Sequence, residues 1–173
     1  MKVIIRKRPT PRLPYALIHK TKNGSLERAA AGEVVLVAKN EQLPWNLRPF
    51  KTKPATLKTG DYQLQSNTSL VCIERKGQGL GDLIKCLGHD RDRFVRELER
   101  LREEFTYRWV IIEGSWVDIC AGRYRGKLNP SSAIGTIAAW QVRYQIPFLF
   151  ADSRPAAQAL AIRLLANVVR EYL

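Results

Sequence analysis

Histidine is scarce in this sequence. His19 and His89 are the only two among 173 residues, and neither sits at ligand spacing from another candidate, which excludes zinc hydrolases and histidine–metal nucleases. Cysteine is little better represented. Cys72, Cys86 and Cys120 are odd in number and widely spaced, so neither a disulfide framework nor a C-x-x-C zinc knuckle can be built, and reduced, mostly buried thiols are expected. No run of about 18 apolar residues occurs, which excludes a membrane-spanning helix. The opening MKVIIRKRPTPRLP lacks a sustained apolar stretch and a small-residue cleavage site, so no secretory leader is expected and the protein should stay inside the cell, in the cytoplasm. Acids are also short: 16 Asp and Glu face 29 Lys and Arg, for a formal net charge of +13. That excess points to a polyanion as partner, because phosphates gain Coulomb attraction and release counterions on meeting Lys and Arg.

What is present reads as one globular unit. Hydrophobic residues at 45% and charged residues at 26% are incompatible with wholesale disorder, and the length suits one domain with a proper core better than two. The charge is uneven, with eight Lys or Arg against the single acid Glu27 between Met1 and Ala31. Residues 1 to 32 are therefore read as a basic arm or hairpin, KVIIRKR and YALIHKT being its strand candidates, and residues 33 to 173 as the domain. EVVLVAK, from Glu33 to Lys39, has the continuous apolar run of a buried strand. NEQLPWNLRPFKTKP, with three prolines, reads as a long connection. TLKTGDYQL and LVCIERK form a hairpin around a loop of about four residues, and the glycines of KGQGLGD end it, with Asp82 placed to cap a short helix, LIKCLG. An amphipathic helix follows from Asp90 to Glu104, then the strand YRWVIIEG, a helix from Ser131 or Ser132 to about Tyr144, the strand IPFLFA and a last helix from Arg154 to Tyr172. Strands first and alternating helix and strand afterwards predict an α/β fold, a mixed sheet flanked by helices. The last helix carries two apolar stripes, Leu160, Leu164 and Val168 on one and Ile162, Leu165, Val169 and Leu173 on the other. It is either squeezed between the sheet and a neighbouring helix or a self-association surface for a homodimer.

The hairpin carries the chemistry. Regular pairing with Gln65 opposite Leu70 sets Asp61 opposite Glu74, β-carbons about 5 Å apart. Like charges so placed ask for a cation, and all-oxygen ligation suits Mg²⁺ or Mn²⁺. Lys76 leaves the strand on the same face as Glu74, where its ammonium can hold a water or stabilise charge developing on a phosphate. Val71, Cys72 and Ile73 make this strand a buried one, and Glu-Arg-Lys at its end is then conspicuous.

Gly60-Asp61, Glu74-Arg75-Lys76 and Asp82, with DLI and RDRFVRELERL following, resemble the XPF-type structure-specific endonucleases of the PD-(D/E)XK superfamily, in particular the small stand-alone forms of phages and bacteria. The resemblance covers roughly residues 34 to 151. It implies a restriction-endonuclease-like αββ(β)αβ core and a divalent-metal-dependent endonuclease acting on branched, flapped or single-strand-containing DNA. It also implies Asp61 and Glu74 as metal ligands, Lys76 as the residue orienting the attacking water, Glu41 and Asp82 as assisting acids, and dimerisation through the nuclease domain. Two departures stand out. Five residues separate Lys76 from Asp82 where the family has three. In VAKNEQ, from Val37 to Gln42, Ala38 stands where a metal-binding acid is expected and Asn40 where an arginine is; only Glu41 matches. An engineered knock-out explains Ala38 alone. A diverged, attenuated enzyme or a catalytically silent DNA-binding and dimerising module explains both.

For DNA contact the candidates are Lys51, Lys53 and Lys58 ahead of Asp61, and Arg123, Arg125 and Lys127 in AGRYRGK, a basic loop with an aromatic suited to unpaired strands. Arg75, on the face opposite Glu74, is either a phosphate clamp or the partner of an acid on the following helix. RDRFVRELERLREE is read as a solvated helix in preference to a DNA-tracking face, because its Arg and Glu pair at helical spacing. Trp45 and Trp140 are read as core.

Overall fold

A computed structural model describes residues 24–173; the strand candidates KVIIRKR and YALIHKT lie outside them. Six strands form one sheet: β1 (Val34–Ala38), β2 (Lys51–Ala55), β3 (Tyr62–Leu64), β4 (Val71–Lys76), β5 (Tyr107–Ile112) and β6 (Phe148–Phe150). The order across it is β2-β1-β3-β4-β5-β6. β1 runs antiparallel to β3, and β3 to β4, while β2 is parallel to β1 and β4, β5 and β6 are mutually parallel. The sheet is thus mixed, and the expected α/β class holds. The helices are α1 (Ser25–Ala30), α2 (Gly81–Leu87), α3 (Arg91–Glu104), α4 (Trp116–Cys120), α5 (Pro130–Tyr144) and α6 (Arg154–Tyr172).

Strand alternation divides the interior into two cores. Tyr62 and Ile73 pack with Val35, Val37 and Ile111 against Ile162, Leu165 and Val168 of α6. Cys72, Val110 and Ile112 point the other way, against Leu83 of α2, Phe94 and Leu98 of α3, and Ile137 and Trp140 of α5. A fully buried Leu or Ile contributes about 1.5–3 kcal/mol, so the sheet is held firmly from both sides. Leu26, Ala29 and Ala30 of α1 join the first core. That places the end of the stretch read as arm or hairpin against α6. Leu165 and Ala166 of α6 are buried, and Leu160, Leu164 and Val169 are partly covered. Among the described residues no helix is long and apolar enough to cross a membrane.

Three elements differ from expectation. The connection with three prolines contains β2, an edge strand whose first four residues are exposed. Its exposed lysines and Pro54 are the residues that protect a sheet border, and a proline is tolerated there because one side needs no partner. Asp82 lies inside the first turn of α2 and makes no cap; the N-cap position is Leu80. The short helix α4 has no apolar period to announce it; the Ser115 hydroxyl accepts the Val117 N–H at 3.2 Å and starts it.

Candidate active site

The expected register holds where the hairpin is regular: Tyr62 pairs with Ile73 and Gln63 with Cys72. At Asp61 the ladder slips by one. Its N–H donates to the Ile73 carbonyl at 2.9 Å, and its own carboxylate, through Oδ2, accepts the Arg75 N–H at 2.7 Å. The residue before it enables this. Gly60 has φ +65°, and a β-carbon there would stand 2.2 Å from the Cys72 sulfur, so only glycine brings the chain this close. On the other side, the Ala38 N–H donates to the Asp61 carbonyl at 2.9 Å. The ends of β1, β3 and β4 therefore meet at Ala38, Asp61 and Glu74, and Ala38 contributes no carboxylate.

Glu74 and Lys76 leave β4 on the side of Cys72, facing α2 and α3. Lys76 Nζ is 2.6 Å from Glu74 Oε1 and lies over the Phe94 ring, 4.2 Å from its centroid. Burial favours the neutral amine, but Glu74, Cys86 and Asp61 outweigh it and hold the Lys76 pKa above its ordinary value. Lys76 is therefore a donor and a positive charge at neutral pH, and no general base. Burial pushes the Cys86 thiol up as well, with Lys76 partly offsetting it, so that sulfur stays protonated. Asp61 behaves differently. Burial, then the Glu74 charge, push its pKa up to about 8, against the opposing pull of the Arg75 N–H and Lys76.

A cleft of about 360 Å³ opens over these groups, lined by Asn40, Glu41, Asp61, Glu74, Lys76, Asp82, Lys85 and Arg93 among others. A smaller lobe of about 140 Å³ adds Lys58, Phe94 and Glu97. All five expected catalytic residues, Asp61, Glu74, Lys76, Glu41 and Asp82, thus border one cavity. Among the described residues no three His, Cys, Asp or Glu side chains are grouped to hold a metal ion. The buried Glu74 and the half-buried Asp61 beside it still suit a hard divalent cation, which commonly takes one or two carboxylates and completes its shell with water and substrate oxygens.

Arg75 is where the expectation needs correcting. It is buried beneath the cleft, and its guanidinium is taken by protein: Nε donates to Glu113 Oε1 at 2.9 Å, and Nη1 lies 2.7 Å from Glu41 Oε1 and donates to the Leu43 carbonyl at 2.8 Å. Neither acid is on the following helix, and the Nε and Nη1 donors are committed to protein. A charge in this position has to be paired. A β-carbon at Gly77 would come within 2.8 Å of the Arg75 guanidinium, so that glycine makes room for it. Glu41 accordingly spends its carboxylate on Arg75 and on the Leu43 N–H. Glu113, at the end of β5, went unrecognised. Its Oε1 also accepts the Trp45 indole N–H at 2.6 Å, and Trp45, core as expected, stacks on Tyr62 with ring centroids 4.8 Å apart. The signal was a glutamate closing the apolar VII run, the same signal that marked Glu74.

The basic candidates divide. Lys58 lines the smaller lobe. Lys51 and Lys53 stand exposed on edge strand β2, away from both lobes. Arg123 pairs with Asp118 at 2.6 Å, and Arg125 and Lys127 are exposed in the loop between α4 and α5. Arg93, on a helix read as solvated, lines both lobes.

The model of the ERCC4 domain matches residues 38–163. Among solved structures, XPF from Aeropyrum pernix is similar at 26% identity and a TM-score of 0.59, over 78% of this chain and 60% of that one. XPF from Aeropyrum pernix in complex with DNA is similar at 29% identity and a TM-score of 0.61, over 80% of this chain and 65% of that one. The chain spans less than two thirds of the length of either. No curated protein matches it significantly.

Two measurements check this geometry. Because the folded-state pKa of Asp61 is raised from 3.8 to about 8, its contribution to stability is complete below about pH 4 and is lost as pH rises through 8. In EDTA, the melting temperature of Asp61→Asn should therefore gain on that of the unaltered chain as pH climbs from 4 to 8; a constant difference contradicts the raised pKa. Glu113→Ala removes one of the two carboxylates on Arg75 and leaves the buried Arg75 Nε–H and Trp45 indole N–H without their acceptor, and should lower unfolding free energy in urea by about 3–5 kcal/mol, whereas Glu113→Gln, which still accepts from Trp45, should lose less. A loss below about 1 kcal/mol for the alanine variant would show that the network carries little.

Proposed function

The chain belongs to the ERCC4-domain family of XPF-type nucleases, and on that basis we propose that it is a divalent-metal-dependent DNA endonuclease acting on branched, flapped or single-strand-containing DNA. The observation that carries this is the half-buried Asp61 beside the buried Glu74, with Lys76 bonded to Glu74, in an open cleft. A relative of known structure is in complex with DNA, and the net charge of +13 suits the same partner. On this reading residues 33–173 are the nuclease domain, and α1, from the basic stretch before it, packs against α6.

Asp61 and Glu74 would hold Mg²⁺ or Mn²⁺. When bound, such an ion offsets charge on the scissile phosphate and makes a coordinated water more acidic. The chain's own residues do the rest. One Asp61 oxygen is committed to the Arg75 N–H, which fixes the carboxylate plane and leaves the other oxygen to ligate. Lys76, permanently charged, orients the attacking water and donates to a phosphate oxygen as negative charge builds there. The water attacks phosphorus in line, giving up its proton to bulk water through the open cleft, and the P–O bond on the far side breaks, its leaving oxygen taking a proton from solvent. Asp82 assists at the mouth of the cleft. Glu41 acts from below, by holding Arg75. Lys58, Lys51, Lys53, Arg123, Arg125 and Lys127 serve the DNA backbone around the site. A homodimer through α6 would use Leu160, Leu164 and Val169, its half-covered residues. Roles in DNA repair and recombination, inside the cell, go with the reading.

Ala38 favours a second reading, a silent DNA-binding module with the nuclease fold, since the backbone of Ala38 adjoins Asp61 and a carboxylate there would complete the acid set. Cleavage of labelled flap, splayed-arm and single-stranded DNA in Mn²⁺ separates the two. The unaltered chain should cut a branched substrate, Glu74→Ala should lose about 100-fold or more, and Ala38→Asp should cut faster. Cleavage that survives Glu74→Ala contradicts the site, and cleavage by Ala38→Asp alone establishes the silent form.

A further inference from the structure

Phosphates approaching the cleft meet Asp61, Glu74, Asp82 and Asp90 along its walls, and Lys76 is already paired with Glu74. A cation not consumed by the protein is needed to bring a polyanion here. Besides Lys76, Arg93 is the cationic side chain among the described residues that lines both lobes. It stands in the first turn of α3, where the helix macrodipole disfavours positive charge. Arg91, in the same turn, is compensated: its guanidinium lies 5.1 Å from the Trp140 ring centroid and donates to the Leu87 carbonyl at 3.3 Å. Arg93 has less in return. Its ion pair is with Asp90 at 3.5 Å, and its side chain is 72% exposed, conditions in which such a pair is worth little. Folding does not account for an arginine in that position. The neighbouring residue, Phe94, carries the Lys76 ammonium on its ring, so the backbone of Arg93 is fixed next to a residue of the cleft wall.

We infer that Arg93 contacts the substrate, its guanidinium taking the phosphate next to the scissile one, with Lys58 in the smaller lobe and Lys85 in the larger one contacting the phosphates on either side. The inference rests on the nuclease reading. It assigns to α3 a binding role at this position and separates Arg93 from Arg96, which is exposed on the same helix and lines neither lobe. A planar guanidinium grips two phosphate oxygens at once, which a lysine cannot do.

The test uses the full chain with Arg93→Gln, Arg93→Lys and Arg96→Gln, all at exposed positions and checked for an unchanged melting temperature. Affinity for a labelled splayed-arm DNA is measured in EDTA from 50 to 200 mM salt, and kcat/KM in Mn²⁺. Arg93→Gln should flatten the slope of log affinity against log salt by about one and lower kcat/KM by about ten-fold or more. Arg93→Lys should restore the slope but only part of the rate, and Arg96→Gln should change neither. If Arg93→Gln and Arg96→Gln behave alike in both measurements, the assignment of Arg93 is overturned and the nuclease reading stands. If the unaltered chain shows no salt-dependent DNA binding, both are overturned.

Discussion

Two carboxyl groups held side by side, the buried Glu74 and the half-buried Asp61, oppose charge on both at once, and most of what is distinctive in this chain either enforces that proximity or compensates for it. Gly60, at a positive φ and against the Cys72 sulfur, brings Asp61 into the sheet. The Arg75 N–H then takes one of its oxygens in place of the missing ladder bond. Lys76 neutralises Glu74 from the same strand, and the aromatic face of Phe94 supports the ammonium from α3. What is left is the Asp61 carboxyl, which burial and Glu74 keep protonated up to about pH 8, in a cavity open to solvent. The proposed divalent cation would take the place of that proton.

Beneath this arrangement lies a second one. Arg75 points to the opposite side of β4, where Glu41, Glu113 and the Leu43 carbonyl receive it, and Arg154 of α6 reaches the Leu43 and Pro44 carbonyls as well. The loop after β1, which carries Asn40 and Glu41 to the cleft, is thereby tied to β4, β5 and α6 at once. Buried ion pairs of this kind add little net stability compared with an apolar core, yet they are intolerant of losing one member. The same three-residue motif thus serves two sides of the strand: Glu74 and Lys76 line the cleft, while the arginine between them fixes the loop.

Much of this was legible in the sequence. The period of two along LVCIERK separates Glu74 and Lys76 from Arg75, and the hairpin count sets the register of Tyr62 and Ile73. The one-residue slip at Asp61 was not legible, because it depends on Gly60 meeting Cys72 across the strands. Glu113 lies 38 residues from Arg75 along the chain, and no local period connects them. β2 escaped notice because its lysines and proline are those of a loop, which are also those of a protected edge. The mixture of Arg and Glu along α3 reads as a solvated face, and only the packing of Phe94 shows which turn of it borders the cleft.

Ala38 leaves the acid set one short of the family's pattern, so the account depends on whether Asp61 and Glu74 suffice. The direct measurement is diffraction from Mn²⁺-soaked crystals at a wavelength where manganese scatters anomalously. The account predicts one strong peak within bonding distance of both the Asp61 and Glu74 carboxylates, with water filling the side nearest Ala38, and its loss in Glu74→Ala. A saturating soak that leaves the pair without a peak, or places the ion on other side chains, would contradict it.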